Sequence, residues 1–453
     1  MTVPIDKRVA VIGGGIAGLS AAWHLIRCGV SVKLFESRRT TGGRAGSFQD
    51  ANSGDQIDYC QHVGMGCCTN LLQWFDDMHL PDAFDRTQRL TFIAENGEHC
   101  VIDPSKRLPA PFHLATQLGK MRFLSGVQRR RLAWGMWRLM RLRDQDADID
   151  QTMGQWLRFH GQCDGLIRDF WDVVLVSALG ESCDQAAIVP ARKVFVDGFL
   201  GNVDAADVLV PRDSLKTLFG ERIAGVLEEQ GVQIHTGAAV QRVDRISTSP
   251  DTFPEYQLQL ADKSLLAFDA VIPATAWYSL PRLFDGGSLG DVLPFEQFAK
   301  FPVAPITGIH LWLDRKITAL PHAVLVGRTS QWLFARPESR REDAPTSMDD
   351  PRGGHYYQVI ISASRGIRGS DSAELADQVM HDLRVCFPGA KEARLLRHRI
   401  VTDPNSVFSV TPAVQAMRPN TNDGPPGLFV AGDWVQTGWP ATMEGAVISG
   451  IQA

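Results

Sequence analysis

Three glycines, Gly13, Gly15 and Gly18, are spaced to receive a phosphate group. In such a loop the first glycine permits a tight turn, the second lets the backbone approach a diphosphate, and the third allows a helix to pack closely on a strand. Ile16 and Ala17 complete the loop, so the first N–H groups of the following helix face the anion. The elements needed to position the loop stand on either side of it. Arg8 to Ile12 (RVAVI) reads as a β-branched strand, Leu19 to Arg27 carries a helical pattern that Gly29 ends, and Ser31 to Glu36 (SVKLFE) reads as a second strand. Residues 8–36 are therefore one βαβ unit. Glu36, with Ser37 beside it, stands at the tip of the second strand, where a carboxylate accepts the hydrogen bonds of an adenosine ribose. Strand, loop, helix and acid in this order imply dinucleotide binding.

The choice between a nicotinamide and a flavin dinucleotide rests on residues further along. Thr41-Gly42-Gly43-Arg44-Ala45-Gly46-Ser47 offers glycines for backbone contact and, in Arg44, a cation suited to the diphosphate. Far downstream, Ala431-Gly432-Asp433 ends an apolar run with a carboxylate suited to a ribityl hydroxyl. A helical pattern then opens at Ala441-Thr442-Met443-Glu444-Gly445-Ala446, whose first N–H groups would stabilise negative charge on the N1–C2 edge of a reduced flavin. A nicotinamide site has no use for this C-terminal clamp, so the expected cofactor is FAD.

The 453 residues are 44% hydrophobic and 21% charged, with 41 Gly and 25 Pro dispersed along the chain. That profile excludes a coiled coil, a collagen and a low-complexity scaffold. Lys and Arg total 46 against 51 Asp and Glu, a net charge of −5 that does not point to nucleic acid. The eight cysteines form no C-x-x-C pair and the twelve histidines no H-x-x-x-H pair, so neither a metal site nor a disulfide framework is expected. Adjacent Cys67 and Cys68 read as buried free thiols. No run approaches the roughly 18 apolar residues of a spanning helix, and a first strand at Arg8 leaves no room for a signal peptide. A cytoplasmic protein is expected.

Strand signals return at VQIHT, AAVQRV, FDAVIPAT (268–275) and GLFVAGD (427–433), the last two stopping at small or acidic residues as strands do at the ligand edge of a parallel sheet. The expected fold class is α/β: a Rossmann-like FAD-binding domain built from 1–75, 211–280 and 401–453. A discontinuous, mixed α+β substrate domain takes 76–210 and 281–400. Arg336 to Gly354 is charged and rich in Pro and Gly, and reads as a surface loop.

Beyond these physical readings, the GGR stretch, the strand pair around Val240 and the run from Gly432 to Val447 resemble the amine oxidase and carotenoid desaturase superfamily of FAD enzymes. Within it, Asp58-Tyr59-Cys60-Gln61-His62-Val63, Gly66-Cys67-Cys68-Thr69-Asn70 and TGWPATMEGAV are similar to the hydroxysqualene dehydroxylases of bacterial hopanoid pathways. The resemblance implies that Glu36 holds the adenosine ribose, Arg44 the diphosphate, the Val240 backbone the adenine, and Asp433 with Met443 the ribityl chain and isoalloxazine. It also implies a C30 isoprenoid alcohol as substrate, reductive loss of its allylic hydroxyl to give squalene, and an outside electron donor that restores the flavin. Two alternatives stay open: a carotenoid or isoprenoid desaturase or amine oxidase with electrons flowing the other way, and a non-catalytic lipid-binding subunit that keeps flavin as a structural element.

His62 falls in the block placed near the flavin, where it would assist departure of a hydroxyl or orient it, with Gln61 as its companion. The plainer reading is a histidine satisfied by backbone hydrogen bonds. Pro104 to Arg143 holds ten Lys and Arg and no acid. On a helix, Leu132, Met136, Leu139 and Met140 share one face and Arg130, Arg131, Arg138 and Arg141 the other, with Trp134 and Trp137 between them or on the basic side. Peripheral contact with the anionic inner face of the cell membrane is expected from this amphipathic region. Trp156, Trp171, Trp277, Trp312, Trp332 and Trp439 are candidates to line a hydrocarbon tunnel, or ordinary core.

Overall fold

A computed structural model describes residues 7–51, 54–246, 255–290, 292–336 and 354–453. The expected surface loop lies, from 337 to 353, outside the described residues. The opening unit is β1 (Arg8–Ile12), α1 (Ile16–Arg27) and β2 (Ser31–Glu36). After α2 (Thr69–Asp77) come β3 (Leu90–Ile93) and β4 (His99–Ile102). The helices that follow include α3 (Gly126–Arg141), α4 (Met153–Phe159), α5 (Asp172–Leu179) and α6 (Ile188–Phe195). The chain then forms β5 (Gln233–Thr236), β6 (Val240–Arg245) and β7 (Ala270–Pro273). Next are β8 (Val303–Leu313), β9 (His322–Leu325), β10 (Trp332–Ala335), β11 (His355–Ser362), α7 (Ser372–Cys386), β12 (Leu395–Phe408) and α8 (Met443–Gln452).

Strands β5, β2, β1 and β7, in that order, make a parallel sheet. Val9 to Ile12 are buried because both faces of the sheet are covered, Val9 and Val11 by α1 and α8, Ala10 and Ile12 by the antiparallel strand residues Tyr256, Leu258 and Phe268, which is why RVAVI is a continuous apolar run. Helix α8 lies along α1, and the Ser20 hydroxyl donates to the Val447 carbonyl at 3.0 Å. This docking brings the far C-terminal residues to the glycine loop.

A second sheet has the order β12-β8-β11-β10-β9-β3-β4. It is antiparallel except where β9 runs parallel to β3. Alternation along its strands divides two cores. Ile309, Leu311, Val359 and Leu333 pack towards α7, while Phe92, Val324, Phe334 and Ile360 face α5 and α6 across the larger core. The cavity described below opens on that second face.

Two expectations are corrected. The boundary at 401 falls inside β12, which pairs with β8 on both sides of it, so 401–408 belongs to the larger sheet. GLFVAGD is not a regular strand: backbone bonds from Val271 N to Gly427 O, Phe429 N to Val271 O and Ala431 N to Pro273 O carry it along β7, with one bridge at Leu428. AAVQRV forms the strand its sequence suggests; β6 lies outside the parallel sheet and pairs antiparallel with Tyr256–Leu260, because its polar, half-exposed residues suit a sheet open to water. No helix among the described residues is long and apolar enough to cross a membrane.

Candidate active site

A cavity of about 680 Å³ runs from the glycine loop to the inner face of the larger sheet. Gly13, Gly15, Ile16, Ala17, Glu36, Ser37, Gly43, Arg44, Gln61, His62, Val240, Gly432, Asp433, Thr442 and Met443 all line it. Gly18 does not. A Cβ there would stand 1.9 Å from the Gly13 carbonyl oxygen, so Gly18 serves the helix-to-strand contact alone. Gly13 has φ +112, which L side chains rarely adopt, and a Cβ would meet the Ala274 carbonyl at 2.7 Å.

Gly15 is different. It caps α1 in ordinary extended backbone, and a Cβ there would meet no heavy atom within 4 Å. The open space in front of the first N–H groups of α1 is the cradle a diphosphate requires. Glu36 is buried and organises that cradle: one carboxylate oxygen accepts from Gly14 N at 2.7 Å, the other from Arg38 N at 2.7 Å and the Ser37 hydroxyl at 3.1 Å. The first of these oxygens, with a single donor, retains acceptor capacity.

Opposite the loop, Arg44 Nη2 donates to Asp433 Oδ1 at 2.5 Å and Nη1 to the Ser406 carbonyl at 2.6 Å. Burial opposes the charge of Arg44, but the Asp433 carboxylate outweighs it and raises the guanidinium above its ordinary value. The two residues expected at separate parts of a dinucleotide are thus joined, and they tie the GGR loop to β12. Gly432, at φ +150, lets the chain turn into Asp433; a Cβ would strike the Trp434 indole nitrogen, which donates to the Thr275 carbonyl at 3.0 Å. The Thr442 hydroxyl accepts from Gly445 N at 3.2 Å and caps α8, so its cavity-side role is to set that helix end in place.

His62 Nδ1 lies 3.0 Å from the Cys60 carbonyl oxygen. A carbonyl only accepts, so Nδ1 carries the proton and Nε2 is left as an acceptor. Burial lowers the His62 pKa below its ordinary 6.5. Gln61 does not pair with the ring; its amide nitrogen donates to the His62 backbone oxygen at 3.1 Å. Burial also pushes the Cys60 thiol up to about 12, so it stays protonated.

Two residues that sequence reasoning passed over hold the site together. Arg418 is buried and donates to the carbonyls of Trp434, Asp433, Val435 and Trp439, fixing the loop between Asp433 and α8. Glu444 is fully buried and accepts from Asn70 N, Asn70 Nδ2 and Leu71 N, joining α8 to α2. Neither belongs to a local pattern, although a charged residue beside an apolar helix start is a signal worth testing for burial. Of the tryptophan candidates, Trp332 and Trp439 line the cavity, while Trp156, Trp171, Trp277 and Trp312 are core. Among the described residues no three His, Cys, Asp or Glu side chains converge on a metal position.

The sequence profile described as flavin containing amine oxidoreductase matches residues 16–453. The chain belongs to this family. It is 25% identical to the 15-cis-phytoene desaturase of Synechococcus elongatus over 98% of this chain and 94% of that one. It is also 25% identical to the hydroxysqualene dehydroxylase of Sinorhizobium fredii, over 99% of this chain and 98% of the relative. In fold it resembles an oxidoreductase from Methanosarcina mazei, with a TM-score of 0.71 at 17% identity over 98% and 99% of the two chains. It also resembles a putrescine oxidase, with a TM-score of 0.66 at 13% identity over 99% and 98%. This member of the flavin amine oxidoreductases is an oxidoreductase whose cofactor is FAD. The open cradle at Gly15 and the Glu36 carboxylate fit the dinucleotide half of that cofactor.

Proposed function

We propose that the protein removes the allylic hydroxyl of hydroxysqualene, a C30 isoprenoid alcohol, to give squalene. The observation that carries this reading is the chemistry of the cavity beyond the cofactor residues. Leu90, Phe92, Val174, Phe199, Val324, Trp332, Phe334 and Ile360 wall it. Its carboxylates, Glu36, Asp403 and Asp433, stand instead with the glycine loop and Arg44. A cationic amine would find no lining carboxylate in the apolar part, where Lys193 of α6 reaches the cavity already paired with Asp197 at 2.8 Å. A long neutral hydrocarbon fits, and relatives named for hydroxysqualene and phytoene support it.

Glu36, the glycine loop, Arg44, Asp433 and Met443 would hold FAD, and when bound and reduced it supplies a hydride. The rest falls to the protein. In the proposed reaction the C–O bond breaks, the hydroxyl leaves with the bonding electron pair and becomes water by taking up the proton that accompanies the hydride in the two reducing equivalents of the fully reduced cofactor, and a C–H bond forms with the hydride. The apolar walls exclude water while positive charge develops on the allylic carbons. Trp332 and Phe334 are stacked at 5.4 Å with 4° between their planes, and their π faces stabilise that charge. The Trp332 indole N–H is committed to Ser177 Oγ at 2.8 Å, which fixes the ring. Neutral His62 accepts from the substrate hydroxyl at Nε2 and orients it; its lowered pKa makes it a poor proton donor at neutral pH. An outside electron donor restores the cofactor.

His62→Ala is expected to lower turnover by about 100-fold with flavin content unchanged. In the unchanged protein, activity should stay level above neutral pH and fall only below 6.5, as acid protonates Nε2 and removes the acceptor. A pH profile that rises on acidification would assign His62 the opposite role.

The same cavity would also serve a desaturase running electrons in reverse, a reading favoured by the near full-length similarity to phytoene desaturases. Anaerobic single turnover separates the two. Chemically reduced holoenzyme mixed with hydroxysqualene should yield stoichiometric squalene. No squalene, together with desaturation of phytoene by the oxidised enzyme, would overturn the proposal.

A further inference from the structure

We propose that the outward face of α3, with the end of α4, is a docking surface for an anionic lipid bilayer, set directly outside the helical wall of the cavity. This deepens the isoprenoid reading by naming where substrate comes from, and rests on it in that respect alone.

The inner face of α3 is fully used: Leu132, Gly135 and Leu139 are buried. Its outer face carries Trp134 and Trp137, 51% and 39% exposed, with ring centroids 4.9 Å apart. Arg138 sits 5.9 Å over Trp134 and Arg141 4.9 Å over Trp137, while Arg130 and Arg131 are exposed beside them. No carboxylate among the described residues pairs with any of these four arginines. Phe159, 82% exposed at the end of α4, adjoins the patch, because Arg138 Nη2 lies 3.3 Å from Nε2 of the neighbouring His160.

Two stacked indoles left in water, ringed by uncompensated guanidinium groups, need an occupant that is apolar at one level and anionic at another. A bilayer surface provides both: the headgroup region suits tryptophan, and lipid phosphates suit arginine. Charge complementarity extends along the chain, since 104–143 has ten cations and no acid. Position argues the same way. Helix α3 packs on α6 and on residues 196–200, and Lys193, Val194 and Phe199 of that layer line the cavity. One layer of helix separates the patch from an apolar chamber.

The test is co-sedimentation of the FAD-loaded full chain with phosphatidylcholine vesicles, with and without phosphatidylglycerol, at rising salt. Binding should require phosphatidylglycerol and weaken with salt. Replacing Arg130, Arg131, Arg138 and Arg141 together with Gln should lower partitioning about five-fold for each arginine, several hundred-fold in all. Brominated acyl chains should quench tryptophan fluorescence in the unchanged protein, and much less in W134A/W137A. Both variants should keep their flavin spectrum and their turnover on detergent-dispersed substrate. A holoenzyme that stays in the supernatant with anionic vesicles, a quadruple variant that pellets equally well, or preferential binding of single-stranded nucleic acid would overturn the proposal. An unchanged holoenzyme that docks as expected yet does not turn over hydroxysqualene would count against the isoprenoid reading instead.

Discussion

Gly15→Val is expected to yield a protein that folds normally and carries no flavin. The backbone at Gly15 is extended and a Cβ there meets no heavy atom within 4 Å, so the branch point of a side chain brings no strain to folding. That same emptiness lies in front of the α1 N-terminus, where a valine would displace the diphosphate from at least two charge-assisted N–H bonds. At roughly 1.5–3 kcal/mol each, this weakens FAD by on the order of 10²- to 10⁴-fold. Gly18→Ala makes the contrast, because its Cβ collides with the Gly13 carbonyl and the unit itself should fail to form. Thermal melting with visible absorbance of the purified proteins separates the outcomes. A yellow Gly15→Val protein would mean that the dinucleotide lies elsewhere.

The second large effect is expected at Arg418. Arg418→Met keeps much of the side-chain volume but leaves four backbone carbonyls without their donor in a buried loop. The expected cost is roughly 3–5 kcal/mol of stability, read as a lower urea midpoint, and flavin should be lost more readily because Asp433 begins that loop. Burial lowers the Arg418 pKa to about 10, which reflects how little charge compensation it has. Arg418→Lys should rescue little, since an ammonium cannot span the same fan of acceptors. An unchanged midpoint would show that the loop is held by other means.

The turn between β1 and α1 is legible in the sequence because its requirements are local: β-branched residues, then glycines at positions where a Cβ collides or a ligand must approach, then a helix with Gly29 beyond it. Arg418 and Glu444 are opaque for the opposite reason. Their roles arise from burial against segments that meet only in three dimensions, as when Glu444 takes the first N–H groups of α2. Periodicity likewise finds β3 and β4 no home, since they join the larger sheet through β9, more than two hundred positions away. The basic helix is half legible. Spacing separates Leu132 and Leu139 from the arginines, but only packing shows that Trp134 and Trp137 are left outside.

The bond between Ser20 and Val447 joins positions 427 apart. The nucleotide site begun at residue 13 therefore lacks its last wall until synthesis has passed Val447. Coenzyme capture is thus a late act in the life of each molecule, and nascent chains must wait, colourless, with the flank of α1 still bare.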